Sequence, residues 1–230
     1  MELKNKVAVV TGVSKGLGLE IVKLLLEKGA IVAGWGRNQP SFTHPNFHFF
    51  TCDVADEAQV EQAYQATVAR LGADIRILIN NAGFGVAGPL ETMSSADWKS
   101  MFDTNVHGIF YVTKRIIPSM KQADEGHIIN VASTAGSRGF KNGTVYAASK
   151  FALKGMTQCW MHELRPHNIR VTLLSPSAVP TAFNVESREE KDLKDGLLTP
   201  NELAHAVVSV LEMDNRGFIP ELEVWATNPF

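Results

Sequence analysis

The sequence is short of almost everything that would commit it to nucleic acid, a membrane or an oxidising compartment. Its 22 lysines and arginines nearly balance 24 acids, and the net charge of −2 offers no electrostatic pull toward a polyphosphate or a lipid surface. No apolar run approaches the roughly 18–20 residues of a membrane span. There are only two cysteines, Cys52 and Cys159, far apart and in apolar surroundings. They form no disulfide framework and are expected to be buried thiols in a reducing compartment. The first strand is expected from about Lys6, which leaves no room for a cleavable leader, so the expected location is the cytoplasm. No metal is expected from the seven histidines. Repeats, low-complexity tracts and linkers are missing as well, so residues 1–230 read as a single domain. At 45% hydrophobic, the composition is that of a folded chain with a substantial core.

What is present alternates. Residues 6–11 are a short β-branched run, the pattern of a strand buried on both faces. They break into Gly12-Val13-Ser14-Lys15-Gly16-Leu17-Gly18, and a helix follows up to Lys28 and Gly29. Further strands are expected at 31–35, 47–51, 75–79, 128–131, 169–174 and 219–225. Helices are expected at 57–71, from Ser94 to about Lys121, at 144–164 and from Pro200 to about Met213, the last behind a Thr199/Glu202 capping box. Strands alternating with helices predict an α/β fold. Its form is a doubly wound, seven-stranded parallel sheet with helices on both faces. Residues 182–198 are polar without an apolar period and are expected to be a lid over a site.

A strand, a glycine-rich turn and a helix place a pyrophosphate on a helix N-terminus. One further absence bears on which dinucleotide. No acid occurs between residues 30 and 50, where an NAD-binding protein usually keeps one for the adenosine ribose; Arg37 stands there instead. Arg37, with Lys15 and Ser14, suits a ribose phosphate. Asp53 is expected either to contact adenine or to cap the helix starting near Asp56. Asn80-Asn81-Ala82-Gly83 falls where a parallel strand ends, on the ligand-binding edge. Asn105 sits in the middle of a helix that it does not favour. Tyr146 and Lys150 are four apart, one helical turn, on one face. An ammonium beside a phenol is expected to bring its proton transfer toward neutral pH. Ser133, just past a strand, adds a hydroxyl nearby.

Taken together, Thr11 to Gly18 (TGxxxGxG), Asn80 to Gly83 (NNAG) and the ordered set Asn105, Ser133, Tyr146 and Lys150 resemble the short-chain dehydrogenase/reductase family over nearly the whole chain. The resemblance implies a Rossmann fold and NADP(H)-dependent hydride transfer between nicotinamide and a ketone, an aldehyde or a secondary alcohol. It implies Tyr146 as proton donor, Lys150 on the nicotinamide ribose, Ser133 on the substrate oxygen, and Asn105 bending its helix and anchoring a water. It also implies cofactor contacts from Gly12, Ser14, Lys15, Gly16, Leu17 and Gly18, from Asp53 and Val54 at the adenine, and from Asn81, Ala82 and Gly83. Pro176, Val179 and Thr181 would lie by the carboxamide. Pro176-Ser177 and Pro180 depart from the usual pattern there, and the short C-terminus is similar to that of sepiapterin-reductase-like or serine-dehydrogenase-like members. A 3-oxoacyl-carrier-protein reductase, with Lys141, Arg165 and Arg170 as a dock, and a non-catalytic NADP-binding regulator are the alternatives. Pocket walls are expected from residues 84–88 and 134–142, with Phe84, Phe140, Phe183, Arg138 and Lys141. A homodimer or homotetramer is expected through the helices carrying Phe110, Val112, Ile116, Met156, Trp160 and Met161. No nucleic-acid or membrane partner is expected.

Overall fold

The computed structural model describes residues 1–179 and 196–228. Pro180, Thr181, Phe183 and residues 182–195 of the expected lid lie outside the described residues. Seven strands form one sheet: β1 (Val7–Thr11), β2 (Ile31–Gly36), β3 (Phe47–Thr51), β4 (Ile75–Asn80), β5 (Gly126–Val131), β6 (Ile169–Pro176) and β7 (Glu221–Val224). Every pairing is parallel, in the order β3-β2-β1-β4-β5-β6-β7. The helices are α1 (Gly16–Glu27), α2 (Glu57–Leu71), α3 (Ser95–Phe102), α4 (Ile109–Ala123), α5 (Thr144–Leu164) and α6 (Pro200–Glu212). The chain builds outward from β1 on one side, then crosses to β4 and builds outward on the other. That reversal opens a crevice at the C-terminal ends of β1 and β4.

Alternate strand residues point to opposite faces, which is why these strands read as continuous apolar runs. Ala8, Val10, Ile77 and Ile79 meet Ile21 and Leu25 of α1 and Val207 and Leu211 of α6. Val7, Val9, Leu78 and Ile128 meet Val60 of α2 and Val112, Ile116 and Met120 of α4 on the other face. Trp35 is fully buried, and its indole N–H donates to Thr67 Oγ1 at 3.0 Å.

Several expectations need correction. The alternation is not complete: β2 runs to β3 through residues 37–46 without a helix. Pro40 and Pro45 interrupt that short segment, and Phe42 packs on Phe47 and the core. Asp53 does not cap α2. Asp56 does, accepting from the Ala58 and Gln59 amides at 2.9 and 3.3 Å. The long helix through Asn105 is two helices joined by a π-helical turn, Asp103–Gly108. Cys52 is buried, which pushes its thiol up to about 12 with help from Asp53 and Asp56, but Cys159 is exposed on α5. Val112 and Ile116 are fully buried core and cannot serve an interface, whereas Phe110 (43%) and Phe151 (48%) stand exposed on α4 and α5. Arg170 is buried and donates to the carbonyls of Leu211 and Met213. Lys141 and Arg165 flank opposite ends of α5, a helix about 30 Å long, so the three cations form no dock. Among the described residues, no helix is long and apolar enough to cross a membrane.

Candidate active site

The crevice is floored by the turn after β1. Gly12 has φ +72° and Gly16 φ +58°, values that favour glycine. A Cβ on Gly12 would lie 2.9 Å from Ala82 Cα, and one on Gly18 would lie 2.2 Å from the Gly12 carbonyl oxygen. The turn is therefore pressed against α1 and the NNAG segment. Thr11 and Asn81 tie it down. Thr11 Oγ1 accepts from the Asn81 and Ala82 amides, each at 3.0 Å, and Asn81 Nδ2 donates to the Thr11 and Gly12 carbonyls at 2.9 and 3.1 Å. Asn81 thus spends its amide N–H groups on the turn, and its Oδ1 is what remains to reach a ribose. Ser14, Lys15 and Leu17 line the partly exposed rim of the turn.

The helix starts differ in a telling way. α2, α3 and α6 are capped by the side chains of Asp56, Ser94 and Thr199. Lys15, at the N-cap of α1, contributes no side-chain cap, and the first turn of α1 carries no acid, as also holds for α5 behind Gly143. A helix start without an acid favours an anion. These residues fit a dinucleotide pyrophosphate.

Around the crevice the four expected catalytic residues converge. Lys150 is buried, and its Nζ donates to the Val131 carbonyl at 3.0 Å, so the ammonium is pinned at the end of β5. Burial lowers its pKa to about 8. It stands 5.8 Å from the Tyr146 ring centre. Burial pushes the Tyr146 phenol above its ordinary value, and the neighbouring Ser133 side chain pulls it back only in part. The expectation that Lys150 brings Tyr146 toward neutral is therefore corrected: in this arrangement Tyr146 rests as a neutral phenol. Asn105 lies in the π-helical turn with no exposure. It accepts from the Phe84 amide at 3.1 Å and donates to the Phe84 carbonyl at 2.9 Å and to Ser149 Oγ at 3.2 Å. Its bonds clamp the loop after NNAG to α5. The π-helical turn also packs tightly on residue 54: a Cβ on Gly108 would lie 2.9 Å from the Val54 carbonyl oxygen.

A buried polar chain went unread in the sequence. Asn80 Nδ2 donates to Thr113 Oγ1 and to Asn130 Oδ1, and Asn130 Nδ2 donates to Thr157 Oγ1. It stitches α4, β4, β5 and α5 together directly beneath the site. The available signal was an amide inside two otherwise apolar strands, Asn80 and Asn130.

The far end of the crevice is open. Gly36 pairs with Thr51, and the Cys52 amide donates to the Gly36 carbonyl at 3.0 Å, so residues 37 and 53 leave the sheet side by side. Arg37 Nη1 lies 3.9 Å from Asp53 Oδ2, both partly exposed. Asp53 also accepts from the Ala55 amide at 3.1 Å. A cavity of about 580 Å³ opens here, between Arg37 and Asp53 on one side and Phe84, Lys99 and Asp103 on the other. On the substrate side, the Phe140 ring stands edge-on to Tyr146 at 6.4 Å, and the Gly88 amide donates to the Asn142 carbonyl at 2.9 Å. The two expected pocket walls, 84–88 and 134–142, therefore meet. Pro176 is buried at the end of β6 and Val179 is partly exposed beyond it; Thr181 lies outside the described residues.

Comparison with known proteins agrees with this geometry. The family model for short chain dehydrogenases matches residues 6–192. An uncharacterized oxidoreductase of Staphylococcus saprophyticus is 31% identical, covering 97% of this chain and 98% of the relative. Serine dehydrogenase in its closed form, complexed with NADP+, superposes with a TM-score of 0.86 at 29% identity, over 95% of this chain and 94% of that one. A 3-ketoacyl-(acyl-carrier-protein) reductase from Brucella melitensis, complexed with NADH, gives 0.88 at 27% identity, over 99% and 100%.

Proposed function

The chain belongs to the short-chain dehydrogenase/reductase family, and from that premise we propose that it is an NADP(H)-dependent oxidoreductase acting on a ketone, an aldehyde or a secondary alcohol. The observation that carries the reading is the buried Lys150 ammonium, pinned to the Val131 carbonyl and 5.8 Å from the Tyr146 ring, with Ser133 beside the phenol at the open edge by the glycine turn. When bound, the nicotinamide supplies a hydride to the carbonyl carbon. The residues of the chain do the rest. Ser133 and Tyr146 hold the carbonyl oxygen. As that oxygen gains charge, the Tyr146 hydroxyl donates its proton to it, leaving an alcohol and a phenolate. A phenol kept neutral by burial is the correct starting form for this step. The Lys150 ammonium steadies the phenolate, and a pKa of about 8 lets it lend a proton near neutral pH. Asn105 acts as a positioning residue through Phe84 and Ser149.

Preference for NADP(H) is supported by Arg37 at the end of β2, by Lys15 and Ser14 on the rim of the glycine turn, and by the NADP+ complex of serine dehydrogenase. The reductase complexed with NADH makes this a point to measure. A carrier-protein substrate is disfavoured because Lys141, Arg165 and Arg170 do not gather. A non-catalytic regulator is disfavoured because Asn105, Ser133, Tyr146 and Lys150 are all in place. We place the protein in the cytoplasm, on its two free cysteines, and assign it a homo-oligomer through the α4 and α5 surfaces bearing Phe110 and Phe151. A monomer by light scattering at micromolar concentration would remove that assignment. The test of function is NADPH consumption across diketones, aldehydes, pterins, sugars and acyl thioesters. At least one class is expected to be turned over by the parent and not by Tyr146→Phe; no difference between the two proteins for any class overturns the reading.

A further inference from the structure

Ser177 follows Pro176 at the end of β6, and the fold gives it a task. Its amide donates to the Val224 carbonyl at 2.8 Å, and its hydroxyl accepts from the Ala226 amide at 3.3 Å. The chain beyond β7 is thereby fastened to the end of β6. Asn228 continues along the same rim, so close to Gly196 that a Cβ there would lie 2.5 Å from the Asn228 carbonyl oxygen. Between these two anchorages stands Trp225, half exposed at 48%. Its indole N–H donates to Glu223 Oε2 at 3.0 Å, which orients the ring. Over the face of that ring lies the Arg138 guanidinium, 4.6 Å from the centre.

Arg138 is exposed and has no carboxylate within ion-pairing distance among the described residues. It lies two residues before Phe140, whose ring meets the edge of Tyr146. Two residues span at most about 7 Å, so Arg138 belongs to the same rim as the proton donor. A cation held on an aromatic face keeps its N–H edge free for a planar anion. From this we infer that Arg138, positioned by Trp225, anchors a carboxylate on the substrate, making the preferred substrate an oxo acid or hydroxy acid rather than a neutral ketone. A guanidinium fork matches the two oxygens of one carboxylate. Lys141, exposed on the same loop, adds positive charge to the approach. The inference rests on the carbonyl-reducing reading above and names the substrate class for that site.

The probes are acetoacetate and levulinate, each paired with its methyl ester, assayed with NADPH. One acid is expected to exceed its ester by about tenfold or more in kcat/KM, as charge-assisted contacts of this kind allow. In Arg138→Ala that ratio falls to near one, mainly through KM. In Trp225→Leu it falls in part, and Trp225→Phe, which keeps an aromatic face, restores it. Arg165→Ala is the matched control: its guanidinium lies 5.8 Å from the Phe218 ring at the far end of α5, and the ratio is expected to stay. A parent that reduces the esters, or neutral diketones, as well as the acids overturns the inference and leaves the oxidoreductase reading standing. So does a ratio that survives Arg138→Ala. A ratio unmoved by Trp225→Leu removes Trp225 from the anchor. Failure of the parent to oxidise NADPH with any carbonyl overturns the reading beneath it.

Discussion

The two ends of the crevice are built on opposite principles. At the catalytic end, Asn105 and Lys150 are buried, and each is pinned to backbone carbonyls. Beneath them Asn80, Asn130 and Thr157 form a buried chain of hydrogen bonds. At the adenosine end, Arg37 and Asp53 face each other across 3.9 Å, partly in water. Burial makes each interaction at the first end strong and each loss costly, because a stranded polar group has no water to turn to. Exposure makes each interaction at the second end weak and replaceable. On the proposed function, reaction chemistry is held by a fixed end, and cofactor choice by an end that a single charge can retune.

The largest test of this contrast is Tyr146→Phe. It removes only the hydroxyl that moves the proton, so kcat should fall about 10²–10⁴-fold, while NADPH affinity, read by fluorescence titration, stays within a few-fold. A variant keeping a tenth of parental turnover would take Tyr146 out of the proton-transfer role. At the open end, Arg37→Ala should lower the preference for NADPH over NADH in kcat/KM by about 10- to 100-fold, since hydrogen bonds to charged groups are worth about 1.5–3 kcal/mol. The loss should fall on KM for NADPH, with NADH kinetics little moved; unchanged selectivity would mean that the phosphate is bound elsewhere.

A third test returns to the buried end. With Lys150 near a pKa of about 8, kcat/KM for reduction should decline above pH 8, approaching about tenfold per pH unit as the ammonium is lost. The stability consequence has a definite sign. The unfolded chain holds this proton up to the ordinary value of 10.5 and the folded chain only to about 8. The cost of burying the ammonium is therefore fully present below pH 8 and is relieved as pH rises toward 10.5. Lys150→Met should accordingly raise resistance to urea below pH 8, with the gain fading by pH 10.5. A gain that grows with pH would contradict the assignment. The smallest effect belongs to Asp53→Asn. Removing a half-exposed carboxylate beside Arg37 should raise the NADPH preference by about two- to fivefold, in keeping with the small worth of surface ion pairs. A fall in preference would mean that Asp53 steadies Arg37 for the phosphate rather than competing with it.

What the sequence by itself determined is what short-range physics governs. The glycines at 12, 16 and 18 are set by the backbone angles and close approaches of one turn. The caps at Ser94 and Thr199 satisfy amides two or three residues away. Tyr146 and Lys150 share a face because an α-helix repeats every 3.6 residues. The parallel sheet follows from alternating strands and helices, apart from the β2–β3 link, where two prolines replaced a helix. The tertiary structure alone decided whatever joins distant residues or depends on burial. It set Asp53 beside Arg37, although no acid follows β2 in the chain, because parallel pairing brings the ends of β2 and β3 together. It turned Asn105 from a poor helix former into a clamp by opening a π-helical turn around it. It raised Tyr146 rather than lowering it, because desolvation outweighs the help that reaches the phenol. It also laid Arg138 on Trp225, since only folding brings the chain end beyond β7 to the loop before α5.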